Sequence, residues 1–514
     1  MRKLKILACP IGRSGADYYR VKQPLEFLKK QGHQVRIINP SDTSQELDEA
    51  VNGADVILFR IGQEKLFFTI KNNYDCSTKK LIIDMDDEVW GFNPFTTQYR
   101  SWGLKEIDYD GKSLWKDGVN GFDIERNMET VQKAINMLNV ADMVTVTTDR
   151  LKKGMLEFNK NVKVLPNAID FTKWQKFDFK RPKGKMRIGW SGGDTHFLDW
   201  ASLQDILPKA QKRYDFDLIL QGCRWTGTLK GVRHEFHNWV DIDAHPLKTN
   251  SLQLDVAIIP LEENRFNEMK SCVKWYEYSS IHIPCLVANV PPYSDEIEHM
   301  KTGLLYNDSK EFDRYLKMLL TDKGLREKLA ENAYKYVVAK RNMADTTPSY
   351  EKAYKEGLAE RQKALPKKLN LGCGSIKRIG YINIDKSSEF KPDIVWDLTK
   401  FPYPKELEKA TLIESRHLFE HFTPDERIEV VKECYRILRK GGVLKITVPL
   451  ASPETFDAAF ADPTHKSYFT PHTFDYFNRN SPFWKNNGRA YGIPPFDVKV
   501  NVTPPYNLTA ELIK

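Results

Sequence analysis

Short apolar runs separated by longer amphipathic stretches recur along the whole chain, in three successive series. The first opens with an apolar run at 3–9 (Lys-Leu-Lys-Ile-Leu-Ala-Cys). A loop with two glycines follows (Pro10-Ile-Gly-Arg-Ser-Gly-Ala), then an amphipathic stretch from Asp17 to Lys30 and a second apolar run from Gly32. Short apolar runs read as buried strands, and the 3.6-residue period between them reads as helix. The pattern predicts a β–loop–α–β opening of a doubly wound α/β domain, with ligands at the carboxyl ends of its strands. Further strands are expected at Val56-Ile-Leu-Phe, Leu81-Ile-Ile-Asp and Met143-Val-Thr-Val-Thr, with a helix from Glu125 to Asn139.

The second series starts at Met186-Arg-Ile-Gly-Trp-Ser. Strands are expected from Phe216, Val232 and Val256, and at Pro284-Cys-Leu-Val-Ala288. After helical sequence from Lys310 to Lys340, residues Asp345 to Ala364 read as one long amphipathic helix with Tyr350, Tyr354 and Leu358 on a stripe. It stops at Leu365-Pro366. The third series begins with Lys368-Leu-Asn-Leu-Gly-Cys-Gly-Ser and continues through Tyr381-Ile-Asn-Ile and Asp393-Ile-Val-Trp-Asp397. The runs from Asp497 and at Leu508–Ile513 are expected to supply its last two strands.

Composition narrows the class. At 514 residues, 41% hydrophobic and 12% aromatic, the chain can build several cores. Seven cysteines without CxxC spacing, mostly inside apolar runs, point to reduced buried thiols in a cytoplasmic protein. The start runs straight into a strand pattern, and no apolar run approaches the length of a membrane span, so neither signal peptide nor transmembrane segment is expected. The net charge of +9 is spread, with 22 Lys/Arg against 18 Asp/Glu after Leu365 and 56 against 51 before it. Such a balance suits anionic ligands, nucleotide-sugars or nucleic acid alike, and chooses none of them.

Candidate chemistry lies at strand ends. In the stretch Glu262 to Tyr306, a polar loop leads into a helix carrying Lys274 and Glu277, just after the strand Val256-Ala-Ile-Ile-Pro260. A helix N-terminus offers free N–H groups to phosphate, and a carboxylate further along can accept from ribose hydroxyls. Asp84, Asp86, Asp87 and Glu88 place four carboxylates in five residues after a strand. Such a cluster could hold a divalent ion, position an acceptor hydroxyl, act as a base or cap a turn; metal binding is not the expectation. The aromatic loop from Trp90 to about Gly121 has the length of a binding loop or lid.

These segments resemble family-4 glycosyltransferases with the GT-B fold. The resemblance rests on GADYYRVKQPLEFLKKQGHQV, VADMVTVTTDRLKKGML, VKVLPNAIDFTKW, RIGWSGGDTHFLDW and the stretch from Glu262. It implies a nucleotide-sugar site made by Gly15, Arg20, Gly192, Gly193, His196, Lys270, Ser271, Lys274 and Glu277, with Pro166-Asn167 at the hinge between two Rossmann-like domains. The last helix would cross back to brace the first domain. Two departures stand out. Relatives carry an Arg and a Lys soon after the Gly192 loop, and the run to Leu203 has neither, which leaves His196, Lys270 and Lys274 to substitute. The family's first glutamate, eight positions before Glu277, falls on Met269, with Glu268 beside it: either a one-residue shift lets Glu268 serve, or the sugar contact is lost.

In the third series a strand ends in Gly-Cys-Gly, and acids end the next two strands: Asp385, placed to accept from ribose hydroxyls, and Asp397, near where an adenine would lie. Together with LIESRHLFEHF, ECYRILRKGGVLKITVP and ADPTHKSYFTPHTF, this strongly resembles class I methyltransferases that use S-adenosylmethionine. The resemblance implies a cofactor site of Gly372, Cys373, Gly374, Asp385, Asp397, Leu398, His417, Glu420 and His421. His465 is then a candidate near the acceptor, or a cap on the aromatic helix that follows it.

The expected architecture is α/β: two Rossmann-like domains in a GT-B arrangement plus a third Rossmann-like class I methyltransferase domain. Their bounds are 1–168 (acceptor side), 169–344 (nucleotide-sugar side), 345–365 (crossover helix and linker) and 366–514. The expected function is a bifunctional transferase. One half moves a sugar from a UDP- or GDP-linked donor to a glycan or similar acceptor, with Asp84, Asp86, Asp87 and Glu268 as catalytic candidates. The other methylates the product or a related hydroxyl. Two other readings fit the same residues: a glycosyltransferase acting on a nucleic-acid base, and a non-catalytic protein that kept both folds.

Overall fold

The computed structural model describes residues 2–514 apart from positions 13, 40, 178, 181–183, 194–195, 223–230, 359–366, 453–458 and 504–506. The expected stop at Leu365-Pro366, the end of the helix before it, Asp194, Thr195 and Cys223 lie outside the described residues. The chain divides into two compact units, 1–362 and 363–514.

The first unit contains two parallel sheets. In one, β1 (Lys5–Cys9), β2 (Gln34–Ile37), β3 (Val56–Arg60) and β4 (Lys80–Met85) are followed by a hairpin, β5 (Ile107–Tyr109) and β6 (Lys112–Trp115). Then come β7 (Met143–Val146) and β8 (Val162–Val164). Leaving the hairpin aside, the strand order is β2-β1-β3-β4-β7-β8. Successive strand residues point to opposite faces, so each strand feeds two cores. Leu7, Ile57, Phe59, Leu81, Ile83 and Val144 enter one. Ile6, Ala8, Val56, Leu58, Ile82 and Met143 enter the other, where they meet Leu25 and Leu28 of the helix Gln23–Lys30. Met343, Tyr350, Ala353, Tyr354 and Leu358 complete that second core. All but Leu358 belong to the helix Met343–Lys355, so the tyrosine stripe is a packing face of the first domain.

The second sheet is built from β9 (Arg187–Gly192), β10 (Asp217–Gly222), β11 (His234–His237), β12 (Val256–Ile259), β13 (Cys285–Ala288) and β14 (Leu304–Tyr306), in the order β11-β10-β9-β12-β13-β14. Four fully buried tryptophans (Trp174, Trp190, Trp200 and Trp275) belong to its core.

The stretch from Trp90 to Gly121 is not one open loop. It forms the β5–β6 hairpin and a short helix, Tyr99–Trp102. Its aromatic rings pack on one another: Phe95 meets Tyr109 edge-on at 4.7 Å, and Tyr99 stacks on Phe122 at 5.9 Å. The indole N–H of Trp115 donates to Pro94 O at 2.5 Å.

The second unit is one seven-stranded sheet. Its strands are β15 (Lys367–Leu371), β16 (Ile382–Asp385), β17 (Ile394–Val395), β18 (Ala410–Arg416), β19 (Leu438–Pro449), β20 (Asp497–Thr503) and β21 (Asn507–Ile513), in the order β17-β16-β15-β18-β19-β21-β20. The first five run parallel, and β21 inserts antiparallel between β19 and β20, with Ile446 opposite Ala510. The order reverses between β15 and β18, and ligands bind open α/β sheets at the carboxyl edge of such a switch point. The six described cysteines are unpaired. No helix among the described residues is long and apolar enough to cross a membrane.

Candidate functional site

In the first unit a cleft of about 280 Å³ lies at the carboxyl ends of the two sheets' strands. Gly15, Asp86, Asp87, His196, Lys270, Ser271, Lys274 and Glu277 line it, all expected from the sequence. The helix Val273–Ser280 supplies Lys274 and Glu277 one turn apart, and no side chain caps its first turn. Its first residues Val273 and Lys274 line the cleft, so this uncapped helix start lies beside it.

Two lysines stand there. Lys274 Nζ donates to Ser191 O at 3.1 Å and lies over the Trp190 ring, and burial together with the nearby Lys270 brings it down to about 8 despite the Glu277 carboxylate. Among the described residues Lys270 Nζ is buried with no hydrogen-bond partner, over the Phe266 ring at 4.6 Å. A desolvated ammonium without an acceptor is costly unless an anion completes it.

Glu277 accepts from the Tyr19 hydroxyl at 2.6 Å and has His245 Nε2 at 3.7 Å. Burial pushes its carboxyl up, but His245, Tyr19 and Lys274 outweigh that and hold it below the usual range. His196 bonds through Nδ1 to Asp199 at 2.5 Å. Burial and the two lysines bring it down to about 3, so it is neutral and its Nε2 is an acceptor. Asp87 is pushed up to about 7 by burial and by Asp86, against Lys270 and Arg60. Gly192 is required for close packing, because a Cβ there would stand 2.4 Å from the Trp190 ring and 2.8 Å from Lys274 Nζ. Gly193 follows it on the surface, outside the cleft lining.

Like Gly192 and Gly193, the expected site residues Arg20, Asp84 and Glu268 are absent from the cleft lining. Arg20 has no exposed surface. It forms a two-pronged bond to Asp84 at 3.0 and 2.7 Å and donates to Leu165 O, Asn167 Oδ1 and Tyr350. Asp84 is equally buried and also accepts from Arg60 and Thr145. Burial raises its carboxyl, but the two guanidiniums override that and keep it below the usual range. Arg20 and Asp84 therefore form an internal ion pair, not a ligand contact. The acidic cluster is likewise divided, since Asp86 pairs with Arg60 and Glu88 with Arg265. Glu268 ends the short helix Arg265–Glu268 and is absent from the cleft wall. Met269 beside it packs on the first domain against Gly154, and its carbonyl accepts from Thr148.

The sequence reading missed Tyr19, Trp239 and His245. Trp239 is 48% exposed at the cleft and stacks on His245 at 5.1 Å. An aromatic within a polar run (His-Asn-Trp-Val-Asp) was its signal.

In the second unit the loop after β15 is set by two left-handed glycines, Gly372 (φ +64°) and Gly374 (φ +50°), with buried Cys373 between them. A Cβ on Gly372 would strike Leu418 at 2.9 Å; at Gly374 it would enter open space, the gap a ligand backbone contact needs. Asp385 ends β16 and accepts from Gly374 N and Ser387 N, both at 2.9 Å, one on each oxygen. Each oxygen keeps a second lone pair for a hydroxyl. Asp397 is exposed, and bonds from Thr399 hold its carboxyl below the usual range; Leu398 is buried beside it. His417, Glu420 and His421 follow β18. His465 Nδ1 bonds to Ala459 O, and the helical turn Pro471–Phe477 is entered through Thr470, so His465 does not cap it.

Known proteins match these units separately. Residues 380–446, from the start of β16 into β19, match the family described as a methyltransferase domain. No curated protein matches the chain. Among solved structures it is similar to a sucrose-phosphate synthase from Thermosynechococcus elongatus, at 13% identity and a TM-score of 0.50 over 70% of this chain and 100% of that one. It is also similar to a glycosyltransferase from Rickettsia africae (14% identity, 71% and 100% covered, TM-score 0.46). A third is HepE from Anabaena in complex with UDP and glucose (14% identity, 70% and 100% covered, TM-score 0.45). The chain thus joins a first unit with the GT-B fold to a methyltransferase domain.

Proposed function

We propose that residues 1–362 transfer a sugar from a UDP- or GDP-linked donor to a glycan hydroxyl, and that the second unit methylates a hydroxyl of that product or a related one. The observation that carries the first reading is the unpartnered buried Nζ of Lys270, beside Lys274 and the uncapped start of the helix Val273–Ser280. Two cations and a row of N–H donors around one small cleft suit a leaving diphosphate, whose charge grows as the bond to the sugar breaks. Glu277 accepts from the ribose and Trp239 offers a face to the base. Asp87, with a proton affinity near neutrality, takes the proton of the acceptor hydroxyl as that oxygen bonds to the sugar carbon.

For the second unit, the glycine cradle with Asp385 beneath it fits S-adenosylmethionine, which supplies an electrophilic methyl group. Gly372, Cys373 and Gly374 bring backbone to its methionine portion, Asp385 holds the ribose and Asp397 with Leu398 flanks the adenine. Calorimetric titration of the full chain with UDP, GDP and S-adenosylhomocysteine tests both halves. One nucleotide site lost in Lys270→Ala and one cofactor site lost in Asp385→Ala are expected. A chain that binds neither is a retained fold without the chemistry.

A further inference from the structure

The turn after β18 and the loop before the helix Pro471–Phe477 bring together Glu420, His421 and His465. One ligand-capable atom of each lies within 4.8 Å of the other two. Glu420 is 1% exposed, and among the described residues neither of its carboxylate oxygens accepts a hydrogen bond. His417 Nδ1 lies 3.3 Å from Oε1, on a side chain that is 44% exposed. A buried carboxylate without donors is costly and calls for a cation.

Both histidines are presented in the tautomer a metal requires. His465 Nδ1 is 2.7 Å from Ala459 O. A carbonyl only accepts, so Nδ1 carries the proton and Nε2 keeps its lone pair. His421 Nδ1 is 3.0 Å from Thr464 Oγ1, whose own proton is committed to Asp462 Oδ1 at 2.7 Å. Thr464 therefore accepts from His421 Nδ1–H, and His421 Nε2 is also free. Such outer hydrogen bonds orient metal-binding imidazoles and raise their basicity. The loop is stitched to the turn by Lys466 N and Ser467 N donating to Glu420 O, and by the Ser467 hydroxyl donating to Phe422 O. Asp462 Oδ2 stands 3.8 Å from His465 Nε2 as a further anionic group.

We propose that Glu420, His421 and His465 bind a first-row divalent cation of the zinc, manganese or cobalt class. Two imidazoles and one carboxylate suit these ions better than calcium or magnesium, which favour all-oxygen sets. Bonds of about 2.0–2.2 Å require the donor atoms to close by roughly 1 Å. Three protein ligands leave coordination positions open. The turn adjoins the glycine loop, because Leu418 fills the space above Gly372, so an acceptor hydroxyl can take an open position close to the methyl donor. That use of the ion rests on the methyltransferase reading; the site itself does not.

The test uses the full chain, stripped with a chelator and dialysed, with Co²⁺ as the probe in the absence of cofactor and acceptor. The expected result is one equivalent of Co²⁺ per chain with visible d–d bands, displaced by Zn²⁺. The signal is lost in Glu420→Gln, His421→Ala and His465→Ala, and weakened about 10–100-fold in Thr464→Val, the loss expected of an outer-shell partner. Melting curves and circular dichroism of each variant show that the unit is folded. If Glu420→Gln does not fold, the two histidine variants decide. Failure of the native chain to take up Co²⁺ or Zn²⁺ stoichiometrically, or uptake unchanged in both histidine variants, overturns the proposal. A native chain that binds the metal but not S-adenosylhomocysteine supports the ion site and removes the methyltransferase reading.

Discussion

The hydroxyl of Tyr19 donates to Oε1 of Glu277 at 2.6 Å across 258 positions of sequence, from the first domain's opening helical segment to the nucleotide-side helix of the second. The carboxylate expected to meet a ribose is thus already oriented from across the cleft. Glu277→Ala should abolish UDP or GDP binding by calorimetry. Tyr19→Phe, which removes only the orienting bond, should weaken it by about 0.5–1.5 kcal/mol. Equal losses in the two variants would show that Glu277 touches Tyr19 and not the ligand.

The cleft carries its own pH window. Asp87, pushed up to about 7 by burial and Asp86, must lose its proton to act as a base, so kcat/KM should rise with pH through about 7. Lys274, brought down to about 8, must keep its proton to hold phosphate, so the rate should fall above about 8. A bell-shaped profile is expected, its acid limb flattened in Asp87→Asn and its alkaline limb moved in Lys274→Arg. Nucleotide binding near pH 8 should also take up protons, seen as a buffer-dependent calorimetric enthalpy.

Arg20 and Asp84 give a prediction of the opposite kind. Removing one partner strands the other charge in the core, so Asp84→Asn should cost roughly 3–5 kcal/mol of stability. Asp84 is held below the usual carboxylate range, so it contributes stability above its unfolded value that is lost as pH falls through the folded one. Urea unfolding should therefore show the native chain losing more stability than Asp84→Asn below about pH 4. Binding by residual folded Asp84→Asn should be near native.

S-adenosylhomocysteine at 100 times its Kd should stabilise the second unit by about 2.7 kcal/mol. Asp385→Ala should remove that shift, and Gly374→Ala should do so too, because its Cβ would occupy the open cradle, with a further loss of about 1–2 kcal/mol of intrinsic stability from a side chain held at φ +50°. Thermal melts with and without the ligand separate the two effects. Glu268→Gln, outside the cleft wall, should leave glycosyl transfer unchanged.

The strands were readable because each is a short apolar run feeding two cores. The placement of the glycine loop beside Asp385 was readable because it is local, with both groups at the ends of neighbouring strands. Arg20 and Asp84 were not, since 64 positions separate them and a strand-end aspartate looks the same whether it faces solvent or a guanidinium. Glu268 failed for a related reason: spacing placed an acid near the expected position, but the short helix directs Met269 into the first domain. The aromatic loop announced its composition and concealed that its rings stack on each other.

The tyrosine-bearing helix 343–355 closes the second core of a sheet whose last strand ends at Val164, 179 positions before Met343. The first Rossmann-like domain is therefore not a module that evolution or an experimenter can lift out at residue 168. A fragment ending there would expose the face that Tyr350 and Tyr354 cover and strip Arg20 of one of its acceptors. Gene fission between the two sheets is closed to this architecture unless the crossing helix travels with the first half.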